Sequence, residues 1–247
     1  MQIFVYDRTA DGFYTAVFEA YARKAAPRFF CDDFQPDFES EIVRIPTDLG
    51  RAARVRANLK KIGGAPVLRE ISQALCASVP ERGDIAFGYI RELLAHGRDA
   101  KYMLASPAVI DFRELVYKVG VEVHRFKGFL RFQENTEGVL YARYEPDHDI
   151  TALLLPHFRT RYNNEKFLIH DVRRNILGIY DGKNTYTYGY DRELKVYLSE
   201  TEESFQRLFA LYCKSVNIEE RKNLRQMFNY MPRRYHKYLV EKHAPLL

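Results

Sequence analysis

The chain has 247 residues, 47% hydrophobic and 29% charged, with a formal net charge of +5; this composition excludes extended disorder and allows a core without cross-links. No run approaches the ~18 apolar residues of a membrane helix. The opening residues meet Asp7 with no basic start, so they do not read as a secretory signal. Cys31, Cys76 and Cys213 form no C-x-x-C pair, which argues against a zinc ribbon, an iron–sulfur motif or a disulfide framework and points to a reduced, cytoplasmic protein.

In chain order, residues 3–6 predict a short buried strand and residues 9–24 a helix with Phe13, Val17, Phe18 and Tyr21 on one face. Residues 27–40, with Pro27 and Pro36, read as loop. Residues 41–45 predict a strand ended by Pro46. Thr47 or Asp48 caps a helix that Gly63 and Gly64 end, and Pro66 opens the next. Ser106-Pro107 starts another, with Val109, Phe112, Val116, Val119 and Val123 at helical spacing and helix expected to about residue 125.

The period then changes. Residues 129–133 and 139–144 predict strands joined by the hairpin signal Asn135-Thr136-Glu137-Gly138. A helix over 149–162, interrupted by Pro156, leads to three meander strands at 166–172, 176–180 and 185–190. Ser199-x-x-Glu202 and Asn217-x-x-Glu220 read as capping boxes for two closing helices. The expected class is α+β: one compact domain over 1–247, with a mainly helical region 1–125. Region 126–247 is expected to hold an antiparallel sheet of about four to five strands and basic C-terminal helices.

The charge is unevenly placed. Residues 213–247 hold eight bases and three acids, so this tail carries the whole net charge. Arg221 and Arg225 fall on one helical face, and Arg233, Arg234 and Lys237 interleave with Tyr235 and Tyr238. Bases among aromatics suit a phosphate backbone with stackable bases, although a charge run is also the ordinary content of a solvated face. Arg125, Lys127 and Arg131 around the 129–133 strand, with Arg173 and Arg174, complete the candidate nucleic-acid contacts.

The densest polar run is Glu145-Pro146-Asp147-His148-Asp149, followed by His157 and His170-Asp171. Asp147, His148, His157, His170 and Asp171 form a candidate catalytic pocket for acid–base or metal-assisted hydrolysis of a nucleotide or DNA lesion. The same residues also read as a hydrogen-bonded core histidine, an Asp–Arg pair and a helix cap. No H-x-x-x-H or H-E-x-x-H spacing is present, so no metal ligands are assigned.

Tyr6-Asp7, Thr15-Ala16-Val17-Phe18-Glu19-Ala20-Tyr21 and His124-Arg125-Phe126-Lys127-Gly128-Phe129-Leu130-Arg131-Phe132 resemble a bacterial family of DNA-metabolism proteins. So do Glu145-Pro146-Asp147-His148-Asp149-Ile150, Pro156-His157-Phe158, Leu168-Ile169-His170-Asp171-Val172-Arg173-Arg174, Tyr180-Asp181-Gly182 and Met231-Pro232-Arg233-Arg234-Tyr235. The resemblance runs in order along essentially the whole chain. Arg8 stands where that family often has Gly, and His236 where it often has a large aromatic. The family is a domain of unknown function that accompanies a radical SAM protein thought to repair or modify DNA, and it also occurs fused ahead of uracil-DNA-glycosylase-like domains. The resemblance therefore implies a DNA-binding accessory protein whose partners are DNA and a radical SAM protein, with no membrane. It implies no cofactor in this chain, since the iron–sulfur cluster and SAM would lie in the partner, and it does not carry over uracil excision. An adaptor that docks an acidic patch on that partner, without touching DNA, is the remaining alternative.

Overall fold

A parallel sheet in the order β2-β1-β3 opens the fold, built from β1 (Gln2–Tyr6), β2 (Arg28–Cys31) and β3 (Glu41–Arg44). The computed structural model describes residues 2–31, 41–191 and 194–243. By its internal packing the chain divides into two compact units, 1–120 and 121–247.

In the first unit, α1 (Ala10–Ala22) is the crossover that makes β1 and β2 parallel. Thr9 caps it, its hydroxyl accepting the Gly12 N–H at 2.9 Å. Phe13 reaches the sheet edge-on to Tyr6 and Phe29, at 5.5 and 5.9 Å between ring centres. The segment expected to be loop from residue 27 contains β2, whose Phe29 and Phe30 are buried; the rest of it, 32–40, lies outside the described residues. Asp48, rather than Thr47, caps α2 (Leu49–Leu75) by accepting the Arg51 N–H. Gly64 breaks that helix at φ 78°, a left-handed conformation natural to glycine, so the expected division there is borne out. Next come α3 (Arg82–His96) and α4 (Pro107–Phe129), the latter running from the first unit into the second.

The second unit holds a five-stranded sheet in the order β4-β5-β6-β7-β8. Its strands are β4 (Gln133–Glu134), β5 (Leu140–Tyr144), β6 (Phe167–Asp171), β7 (Ile176–Tyr180) and β8 (Thr185–Gly189). The sheet is mixed, not antiparallel, because β5 and β6 pair in parallel across the helix α5 (Thr151–Arg161). A helix between two neighbouring strands is a crossover, and crossovers join parallel strands. The α5 face of the sheet has no room for a side chain at Gly178, where a Cβ would stand 2.7 Å from the Thr151 methyl.

The strand expected at 129–133 shrinks to β4, because α4 continues to Phe129 with Phe126 on its buried stripe. Phe132 is instead a half-buried residue, 5.0 Å from the rings of both Phe158 and Tyr162. The hairpin at 135–138 forms as expected, with Gly138 at φ 73°. The chain ends in α6 (Glu202–Ser215), α7 (Leu224–Tyr230), a 3-10 turn at Arg233–Tyr238 and α8 (Val240–His243). Neither expected capping box forms. The Glu202 carboxylate accepts the Glu134 N–H at 2.9 Å, and Asn223 caps α7.

Candidate nucleic-acid interface

Three stretches far apart in sequence, 145–149, 171–174 and 234–238, meet in the second unit around one buried acid that sequence reasoning missed. Glu122 of α4 is 3% exposed. Its carboxylate accepts the backbone N–H groups of Asp147 and His148, each at 2.8 Å, and the Tyr235 hydroxyl at 2.7 Å. A carboxylate survives burial only when donors saturate it, and these three do so. A sequence signal existed: Glu122 interrupts the buried helical stripe of Val119 and Phe126.

Asp171, fully buried at the end of β6, accepts the N–H groups of Arg173 and Arg174 at 3.0 and 3.2 Å and the Arg174 guanidinium at 2.9 Å. Burial pushes its carboxyl up, against the pull of Arg174. Arg174 also donates to the carbonyls of Pro146 and Asp147, so Asp171 fixes the 145–149 loop through it. The 3-10 turn closes over the same loop. Arg234 meets Asp147 at 2.5 Å, and Lys237 and Tyr238 both meet Glu145 at 2.5 Å. Lys237 and Tyr238 hold Glu145 below its usual range, and Glu145 raises Lys237.

The candidate pocket residues are therefore only partly brought together. Asp147, His148 and Asp171 are linked through Glu122 and Arg174. The β5–β6 register pairs Arg143 with His170 and Tyr144 with Asp171, which sends His170 and Asp171 to opposite faces of the sheet. The Nδ1 of His170 meets the Tyr141 hydroxyl at 2.9 Å, while its Nε2 is buried without a partner. Burial, and then Arg143, lower its pKa. His157 lies on α5 edge-on to Phe158, and burial, Lys127 and Arg161 lower its pKa. Among the described residues no group of His, Cys, Asp and Glu is arranged to hold a metal ion.

The predicted nucleic-acid contacts also divide. Arg174, Arg234 and Lys237 belong to the polar network. Arg131 pairs with Glu241 at 2.7 Å, Arg125 donates to the Asn229 carbonyl at 2.9 Å, and Arg233 lies 4.3 Å over the Phe228 ring. Arg173, Arg221 and Arg225 are exposed, and Lys127 is half-buried.

Arg221 faces an open groove of about 590 Å³ between the end of α6, the turn at Glu219–Arg221, α7 and Lys242. Its cations are Lys214, Arg221, Lys222 and Lys242, its amides Asn217, Asn223 and Gln226, and its aromatic is Tyr230, 68% exposed. Glu241, the acid in its wall, is engaged by Arg131. Of these cations the sequence singles out Arg221 as a contact and counts Lys214, Lys222 and Lys242 only in the charge of the tail; α6, the turn and α8 gather all four from 29 positions of chain. An open wall that mixes four cations and three amides with the apolar Ala210, Leu224 and Met227 and one exposed aromatic ring is equipped to hold phosphates beside a stackable base.

Fold and groove together define a mixed α and β protein whose second unit combines a saturated polar network with a cationic surface. A family model described as a domain of unknown function, DUF4130, matches residues 80–241, and the chain belongs to that family. Neither a curated protein nor a solved structure matches the chain.

Proposed function

We propose that the protein is a DNA-binding accessory subunit of a bacterial DNA repair or modification system. The observation that carries this reading is the groove of Lys214, Arg221, Lys222 and Lys242 beside the exposed Tyr230. The resemblance to DNA-metabolism proteins supports the DNA context and supplies the radical SAM partner, which would bring the iron–sulfur cluster and SAM. In this reading the Glu122–Asp147–Asp171–Arg174 network is the scaffold that holds the C-terminal segment in place, not a reacting centre, since the buried carboxylates of Glu122 and Asp171 each already accept three donors.

Fluorescence anisotropy with labelled DNA at several salt concentrations tests the reading. Four cations neutralising four phosphates give a log–log salt slope of about −3 to −4. Arg221→Ala with Lys222→Ala reduces that slope by about two and weakens binding regardless of base sequence. Absence of binding at low salt, or a slope that the double substitution leaves unchanged, overturns the proposal. Loss of affinity in Tyr230→Ala on single-stranded but not duplex DNA would identify base stacking as part of the contact.

A further inference from the structure

The helix α6 is amphipathic the wrong way round. The side that packs inward carries Glu202, Gln206, Ala210 and Cys213, of which Glu202 and Ala210 are buried. Glu202 is held there by the Glu134 N–H and by Gln206 at 3.0 Å, so this inward orientation is fixed by hydrogen bonds. The opposite side carries Phe205, Leu208, Leu211, Tyr212 and Val216, exposed by 62%, 62%, 60%, 60% and 55%. Phe209 borders the stripe, 37% exposed. Taking roughly 150–250 Å² for a whole aromatic side chain, the stripe offers on the order of 600 Å² of apolar surface. That is at the upper limit of the largest patch on an ordinary monomer, about 300–600 Å², and approaches the ~800 Å² each partner contributes to a stable interface.

The spacing of the stripe is self-complementary. About a point midway between positions 208 and 209, Leu208 mirrors Phe209, Phe205 mirrors Tyr212 and Thr201 mirrors Val216, while Leu211, whose mirror position is the inward Gln206, lies at the outer edge of the pairing. A two-fold axis there lays α6 antiparallel on its own copy, with Phe205 level with the partner's Tyr212 and Leu208 level with the partner's Phe209. The antiparallel sense also opposes the two helix dipoles. We infer that the exposed α6 stripe is an isologous interface and that the protein forms a homodimer through an antiparallel α6 pair. This rests on the stripe alone and stands whether or not the groove binds DNA.

Sedimentation equilibrium and light scattering over a micromolar concentration series test the inference. The wild-type chain moves to twice its own mass with rising concentration. Leu208→Glu stays at the mass of one chain throughout, while its thermal unfolding and circular dichroism remain those of the wild type, because position 208 is exposed in the isolated fold. Leu208→Cys, placed next to the two-fold axis, gives a disulfide-linked dimer under mild oxidation, whereas Ser204→Cys on the flank of the helix does not. A wild-type chain that remains at the mass of one chain at every concentration overturns the inference. So does a dimer that Leu208→Glu leaves intact.

Discussion

Replacing Glu122 by Ala removes the shared acceptor of the Asp147 and His148 N–H groups and the Tyr235 hydroxyl. Each hydrogen bond to a charged acceptor contributes ~1.5–3 kcal/mol, and each buried donor left unpaired costs ~1–3 kcal/mol. Some relaxation and water entry offset the sum, so the expected loss in the second unit is about 3–5 kcal/mol. Glu122→Gln keeps one carbonyl oxygen and turns an amide NH2 toward one of the donors, so its loss is smaller, about 2 kcal/mol. Urea unfolding gives the free energies, and hydrogen exchange at the amides of Asp147, His148 and the 233–238 segment localises them. The Ala variant should raise exchange at those amides before any global change. The reasoning is refuted if Glu122→Ala stays within ~0.5 kcal/mol of wild type, the range of an ordinary surface substitution. It is equally refuted if Gln costs as much as Ala, because the hydrogen-bond count then decides nothing.

Arg174→Ala strips the buried Asp171 of its ion pair and is expected to cost ~3–5 kcal/mol, against ~0.5 kcal/mol or less for the exposed Arg173→Ala; denaturant titrations of the two compare them directly. Gly178→Ala drives a Cβ to 2.7 Å from the Thr151 methyl, an overpacking cost of ~1–3 kcal/mol, and the loss should shrink when Thr151→Ser removes that methyl while keeping its hydroxyl for Tyr144. His170 has a folded-state pKa below its unfolded value, so the unfolded chain binds its proton first. Its contribution is present above about pH 6.5 and is lost as pH falls through the folded value, so melting temperatures should decline on acidification below about 6.5 and the decline should flatten in His170→Gln.

Most elements were legible because their signals are local. The Gly63-Gly64 break, the 135–138 hairpin and the helix start at Pro107 each rest on a few adjacent residues. The misread elements have local signals that point two ways. The strand expected at 129–133 starts in aromatic and basic side chains that suit one, yet α4 continues to Phe129 with Phe126 on its buried stripe, and packing on that stripe decides the outcome. The Arg28–Cys31 strand hides in four residues after Pro27, because a short parallel strand buried on both faces has no alternation to detect. The sheet was expected to be antiparallel although a helix separates β5 from β6, and that helix was itself the sign of a crossover. The site was legible as motifs but not as geometry. That Lys237 reaches Glu145 across 92 positions, or that Glu122 collects donors from two other segments, depends on tertiary contacts that no residue spacing encodes.

The positive excess of the tail is two populations with different physics. Arg234 and Lys237 face Asp147 and Glu145, so within the fold their charge is largely cancelled and their field outside is weak. Both pairs are solvent-exposed and contribute little stability by themselves; the buried Tyr235–Glu122 bond between them does more to anchor the turn. Lys214, Arg221 and Lys242 line the groove, whose acid Glu241 is matched by Arg131; Lys222 has only an exposed, 3.4 Å contact with Glu219. Cations therefore stay open to solvent at the groove and at the exposed Arg173 and Arg225, offset in part by Glu219 and Glu220 of the turn, although the densest basic run in the sequence is at 233–237. Salt screens both populations, but with different consequences. It weakens any phosphate contact in the groove steeply, whereas the C-terminal turn keeps its buried Glu122 anchor, which the ions do not reach.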